Sequence, residues 1–193
     1  MAKEEKKITY CDCSNGDVEI CRDLCNALMQ HQAGVCKIHR DILGAMTFEN
    51  RLKISFEKTK EKLLMVAFDE RRPIGYIFAT AEYVSKERRD FRPFQDRIEN
   101  RPGYAGFIPD GVEVGTHIGE IGNLFVYPEY RGLNIGKTLM DRAMDWISSH
   151  RDLECALVHV SNGNNAGTFY EKYGFRYVND VMDGIIKTYE LRL

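Results

Sequence analysis

The sequence predicts a single α/β domain built around a mixed sheet. Three observations predict it: apolar runs of strand length, two longer stripes of apolar residues at helical spacing, and strands that alternate with helices through the second half. A chain of 193 residues is ordinary for one domain with a sizeable core. No internal repeat and no linker-like stretch divides residues 1–193.

Residues 8–11 open the domain as a short strand. Residues 17–33 read as a helix whose stripe holds Val18, Cys21, Leu24, Cys25 and Leu28, with Gly34 as its stop. A second helical stretch covers about 39–58, interrupted or bent near Gly44, so the N-terminal helices span 17–58. The runs 63–68 and 74–83 flank the charged turn Asp69-Glu70-Arg71-Arg72-Pro73 and predict an antiparallel hairpin. From about 84 to 115 the pattern breaks into an insertion carrying the run Lys86-Glu87-Arg88-Arg89, with room for a short helix. A strand at 118–127, a turn at 128–131 and a helix marked by Ile135, Leu139, Ala143 and Ile147 follow. A buried-type strand at 155–160, a short helix at 165–172 capped by Gly174, and strands at 175–181 and 185–191 complete the chain.

Composition removes several function classes. Lys plus Arg number 27 against 29 Asp plus Glu, and this balance argues against a general nucleic-acid binder. No apolar run reaches the roughly 18 residues of a membrane span, and the charged start precedes no signal-peptide core. A cytoplasmic protein with no membrane partner is expected, its cysteines reduced. Cys11, Cys13, Cys21, Cys25 and Cys36 crowd the N-terminal segment but form no Cys-x-x-Cys pair. Cys21 and Cys25 instead share the helical core stripe, so no metal is expected.

The most informative segment runs from Gly119 to Lys137. A strand feeds a tight turn and a helix begins at once, presenting unpaired backbone N–H groups and a partial positive charge. Gly132 and Gly136 let an anion such as a diphosphate approach closely. From the glycines alone, a plain strand-to-helix turn fits as well. The run Gly132-Leu133-Asn134-Ile135-Gly136-Lys137-Thr138 imitates a P-loop, but three residues rather than four separate its glycines. Strand 155–160 also lacks a terminal Asp for magnesium, which argues against an NTPase.

The run Leu124-Phe125-Val126, with Pro128, Tyr130, Arg131, Ile135 and Gly136 behind it, resembles the acetyl-CoA signature of the GNAT superfamily of N-acyltransferases. Asn134 stands where the first motif glycine is usual; Asn tolerates positive φ better than most residues. Ala166 to Phe175 resembles the family's second motif, Ala-x-x-x-Tyr-Glu-Lys-x-Gly-Phe, with Gly163 where the family often has Asn. The resemblance covers about 63–191. It implies one GNAT-like domain, a central mixed and largely antiparallel sheet flanked by helices, and acetyl-CoA as co-substrate without metal. By the same resemblance Leu124, Phe125 and Val126 offer backbone groups to the pantetheine arm. Arg131, Gly132, Leu133, Asn134, Ile135, Gly136 and Lys137 face the diphosphate, and Asn165 touches CoA.

Acyl transfer to an amine needs a proton acceptor, because an ammonium of pKa about 10.4 costs roughly 4–5 kcal/mol to deprotonate at pH 7. Glu120 is the candidate base. Strand parity places it with Gly122, Leu124 and Val126, where partial burial raises its pKa; a strand bulge resets that direction. Tyr170 is the candidate acid by the second motif, donating to the leaving sulfur. His159 and His117 are secondary candidates, more readily read as structural. Lys86, Arg88, Arg89, Phe91, Arg92, Phe94 and Tyr104 decorate the insertion, as an acceptor-binding surface or a solvated face. A small-molecule primary amine is the expected acceptor. The alternatives are a protein N-terminus or lysine, and a non-catalytic acyl-CoA sensor. Oligomeric state stays open, a homodimer included.

Overall fold

A computed structural model describes residues 7–93 and 106–193. Strand β1 is Ile8–Asp12. Asp17 caps the 3-10 turn Val18–Cys21 by accepting from the Glu19 N–H, and helix α1 (Arg22–Val35) continues from it. Gly34 remains helical; the stop is Cys36, whose extended backbone still donates to the Gln32 carbonyl. The second helical stretch is broken into α2 (Arg40–Gly44), a π-turn (Glu49–Lys53) and α3 (Ile54–Lys58). The expected hairpin forms as β2 (Glu61–Asp69) and β3 (Arg72–Tyr83). The insertion opens with α4 (Lys86–Asp90), capped by the Ser85 hydroxyl; Phe94 and Tyr104 lie outside the described residues.

The remaining elements are β4 (His117–Val126), a 3-10 turn at Pro128–Tyr130, α5 (Ile135–Ser149), β5 (Cys155–Ser161), α6 (Gly167–Glu171), β6 (Arg176–Val181) and β7 (Ile186–Arg192). The described strands form one sheet of seven in the order β1-β2-β3-β4-β5-β7-β6. Every neighbouring pair is antiparallel except β4 and β5. That parallel pair requires a crossover, and α5 supplies it.

Alternation along β2 explains its uninterrupted apolar sequence. Leu63, Met65 and Ala67 join the core beneath α5, while Leu64 and Val66 join a second core beneath α1 and α3. Both faces are covered, so neither can be polar. The α1 stripe packs as the periodicity predicts: Val18, Cys21, Leu24, Cys25 and Leu28 are all buried in the second core. Burial pushes the Cys21 and Cys25 thiols up in pKa, which makes them inert core residues. Among the described residues no helix is long and apolar enough to cross a membrane.

Candidate active site

The site begins where β4 leaves β5. Their ladder runs from Ile118 opposite Cys155 to Ile121 opposite Val158 and goes no further. Beyond Ile121 the strands separate, and the β5-facing backbone of β4 is left without a strand partner. At the same point β4 carries an extra residue. Phe78 pairs with Asn123 and Ala79 with Ile121, so Gly122 bulges out of the ladder.

The bulge corrects the parity expected for Glu120. Ile121 shares the α5-side core with Leu124 and Val126, and Glu120 therefore points away from them. It enters a cavity of about 470 Å³ that it lines with Arg51, Thr80, Glu82, Arg88, Phe91 and Gly122. Arg88 forms ion pairs with both Glu120 and Glu82. The Glu120 side chain is 15% exposed, and burial, the largest influence, raises its pKa. Arg88, His159 and Arg51 outweigh that influence and hold the carboxyl below the usual glutamate value. The expected upward shift is thus reversed by neighbouring charge.

The second wall is the loop before α5. Gly132 adopts φ +82° and Asn134 φ +58°, so Asn134 keeps the left-handed turn at the place of the usual glycine. Thr138 N–H donates to the Asn134 carbonyl at 2.9 Å, which leaves the amides of Ile135, Gly136 and Lys137 without helical acceptors. The Lys137 ammonium turns along its own helix to Asp141 at 2.6 Å, so its backbone is what the loop presents. Tyr130 fixes the loop by donating to Asp69 at 2.6 Å across the sheet.

A cavity of about 420 Å³ fills the space between this loop and the open edge of β4. Leu124, Phe125, Val126, Arg131, Gly132, Asn134, Ile135, Gly136, Lys137 and Tyr170 line it. Leu133 and Asn165 do not. Leu133 is exposed at the loop tip, and Asn164, the residue before Asn165, lines the cleft. A narrow passage of about 30 Å³ leads on, lined by Gly122, Leu124, His159, Asn164 and Tyr170. It shares Leu124, Asn164 and Tyr170 with the larger cleft and Gly122 with the Glu120 cavity. Gly122 lines the passage and the Glu120 cavity, and the passage reaches the larger cleft along Leu124, Asn164 and Tyr170.

Two further groups stand at the passage. Tyr170 is buried between Phe169 and Phe175, and burial alone pushes its phenol pKa well up, so it keeps its proton. His159 accepts or donates through Nδ1 at Thr188, 3.1 Å away, while its buried Nε2 has no hydrogen-bond partner among the described residues. That nitrogen lies 4.0 Å from the Glu120 carboxylate. Burial brings the His159 pKa down to about 4, so the ring is neutral at pH 7. His117, by contrast, stacks on Tyr83 and pairs with Asp152 at 2.8 Å, at the far end of β4 from the passage.

Sequence reasoning missed the contributions of the N-terminal helices. Leu28 and His31 of α1 line the cleft, and Arg51 donates to the Gly122 carbonyl at 3.2 Å. Leu28 and His31 are three residues apart and so share a helix face, the one local signal available. Arg51 gives none, because its role depends on a break in the helix. Gly163 explains a departure from the family pattern. It holds φ +79°, and a Cβ there would meet the Val35 carbonyl oxygen at 2.1 Å. The end of α1 packs on this loop too closely for asparagine.

The profile of the acetyltransferase (GNAT) domain matches residues 60–177, more than half the chain. The chain belongs to this family and is an N-acetyltransferase. Among solved structures it is similar to the PaiA N-acetyltransferase of Thermoplasma acidophilum in complex with coenzyme A, at 19% identity over 97% of this chain and 99% of that one, with a TM-score of 0.59. It is similar to Arabidopsis thaliana NAA60 in complex with a bisubstrate analogue, at 19% identity over 96% and 98%, with a TM-score of 0.57. A putative acetyl transferase from Pyrococcus furiosus shows 18% identity over 91% and 97%, with a TM-score of 0.59. At these identities the likeness establishes the fold. No curated protein matches the sequence.

Proposed function

We propose that this enzyme transfers the acetyl group of acetyl-CoA to a small primary amine, with donor and acceptor entering from the two cavities on either side of the narrow passage past Gly122. The observation that carries this reading is that passage, which shares Leu124 and Tyr170 with one cavity and Gly122 with the other. One cavity offers the free amides of the α5 loop to a diphosphate and an unpaired strand edge to the amide-bearing pantetheine arm. The other offers Glu120. Its volume of about 470 Å³ falls in the range of small-molecule sites, which favours a metabolite over a polypeptide.

In this reading Glu120 attracts the ammonium and takes its proton, directly or through one water. The free amine then attacks the thioester carbonyl, forming the C–N bond. Backbone N–H groups of β4 past the bulge face the oxyanion. As the C–S bond breaks, the Tyr170 phenol donates a proton to the departing sulfur, CoA leaves as the thiol, and the proton shed by the acylated nitrogen returns to the tyrosine through solvent.

The test is thiol release from acetyl-CoA across a panel of small amines and of peptides with free N-termini or lysines. Small amines are expected to turn over, and activity with peptides alone refutes the small-molecule reading. Glu120→Gln separates an enzyme from a sensor. It is expected to lower kcat by about 10²–10⁴-fold with the KM for acetyl-CoA unchanged.

A further inference from the structure

Arg88 has no carboxylate partner on its own helix; both of its carboxylate partners among the described residues stand on the sheet. Thr80 lies opposite Glu120 in the β3–β4 register, and Glu82 is two residues further along β3. Glu82 and Glu120 therefore share one face as diagonal neighbours, spaced for a single cation to bridge. We propose that Arg88 is a built-in stand-in for the acceptor: its guanidinium fills the place of the acceptor's ammonium between Glu82 and Glu120, and an amine enters by displacing it. This rests on reading the Glu120 cavity as the acceptor site.

Several observations point the same way. The side chains of Arg88, Glu82 and Glu120 are 23%, 39% and 15% exposed, so the pair of carboxylates is reachable from solvent through the cavity but poorly hydrated. A cationic guest can replace the guanidinium charge for charge. A neutral or acidic guest would leave two half-buried carboxylates without a counter-ion, which is costly. On the passage side, the partnerless Nε2 of His159 faces the same carboxylate oxygen that Arg88 holds. An ammonium has three N–H donors in tetrahedral array, and a flat guanidinium fork does not reproduce that geometry.

The release needs little motion. Helix α4 is held by the Ser85 cap and by Arg89, which donates to the carbonyls of Pro109, Asp110 and Val112. Only the Arg88 side chain has to swing aside. Because the ammonium takes the same place between the two carboxylates, Glu120 keeps a cation beside it through the exchange, and Arg51 and His159 stay in place.

The experiment compares amine binding by wild type and Arg88→Gln in the absence of CoA, using calorimetry with propane-1,3-diamine and pentylamine as probes. Because a self-occupied site weakens apparent affinity by its occupied fraction, Arg88→Gln is expected to bind both probes at least about tenfold more tightly. Guanidinium ion at millimolar concentration is expected to compete with them in the variant. Arg88→Lys, whose shorter chain cannot span both carboxylates, is expected to gain affinity in the same direction and serves if the glutamine variant melts early. Unchanged or weaker amine binding in these variants overturns the proposal, as does an absence of binding in all of them. Thiol release is scored separately. If no amine supports it in wild type, the transferase reading of the site fails while the binding comparison still decides the place of Arg88.

Discussion

His159 makes the folded enzyme sensitive to mild acid, and the size of the effect follows from its setting. In the unfolded chain its ring titrates near 6.5, whereas burial brings it to about 4 in the folded protein. Between those values the unfolded chain takes up a proton that the folded protein refuses. Stability is therefore complete above pH 6.5 and is lost as pH falls towards 4. At about 1.36 kcal/mol per pKa unit, the shift amounts to roughly 3 kcal/mol, of which about 2 kcal/mol disappears between pH 7 and pH 5. Glu120 also loses its ionic partners in acid, because its folded pKa is depressed; that loss sets in lower, as pH falls below the ordinary glutamate range. The assay is urea unfolding at pH 7, 6 and 5 for wild type and His159→Gln. The variant has no titrating ring and is expected to lose about 2 kcal/mol less than wild type across that interval. Equal losses in the two proteins would mean that the ring is hydrated and protonates freely, and the reasoning about a dry passage would be wrong.

Three other outcomes are expected. Tyr170→Phe keeps the ring packing and removes only the phenol donor, so kcat should fall by about 10²-fold while acetyl-CoA affinity stays within twofold, read by thiol release and calorimetry. Asn134→Val forces a β-branched residue to φ +58°, at a cost of about 1–3 kcal/mol. The loop amides should shift and the KM for acetyl-CoA should rise about tenfold, whereas Asn134→Gly should leave it unchanged. Gly163→Ala drives a methyl group into the Val35 carbonyl. A loss of about 3 kcal/mol is expected, lowering Tm by about 6–12 °C in a thermal melt.

The strands and long helices were legible because each has a local cause. Apolar alternation, charged turns and the α5 stripe act within a few residues, and the observed bounds agree with them to within a residue or two at most ends. The loop before α5 was legible for the same reason: its amides, its glycine and its αL asparagine are consecutive. What could not be read was anything set by distant packing. The interruption near Gly44 was expected and α2 ends there, but not the π-turn that follows, around which Phe48 and Leu52 are fully buried in one core with Leu64 and Phe78. That Asn165 and Leu133 stand outside the cleft's lining could not be read either, because a loop's side-chain directions follow from what it packs on. The expected rise in the Glu120 pKa failed because its neighbours come from three separate elements, α4, β5 and the π-turn.

Gly122 shows how a single residue divides what sequence can and cannot tell. Counted as regular strand, 118–126 puts Glu120 on the side of Leu124 and Val126, facing α5. Inserting one unpaired residue moves it to the other side, where Arg88, Arg51 and His159 gather. The same insertion marks the point at which β4 parts from β5, so base, passage and donor cleft are all fixed by one break in pleat. A glycine suits the position because a Cβ would come within 3.3 Å of the Phe78 ring. With a side chain there, the Phe78 ring, which lines the Glu120 cavity, must give by a few tenths of an ångström. The consequence differs from loss of the base itself. The carboxylate would remain, but its distance from the cleft, and with it the alignment of amine and thioester, would change by a few tenths of an ångström, enough to slow acyl transfer with CoA binding intact.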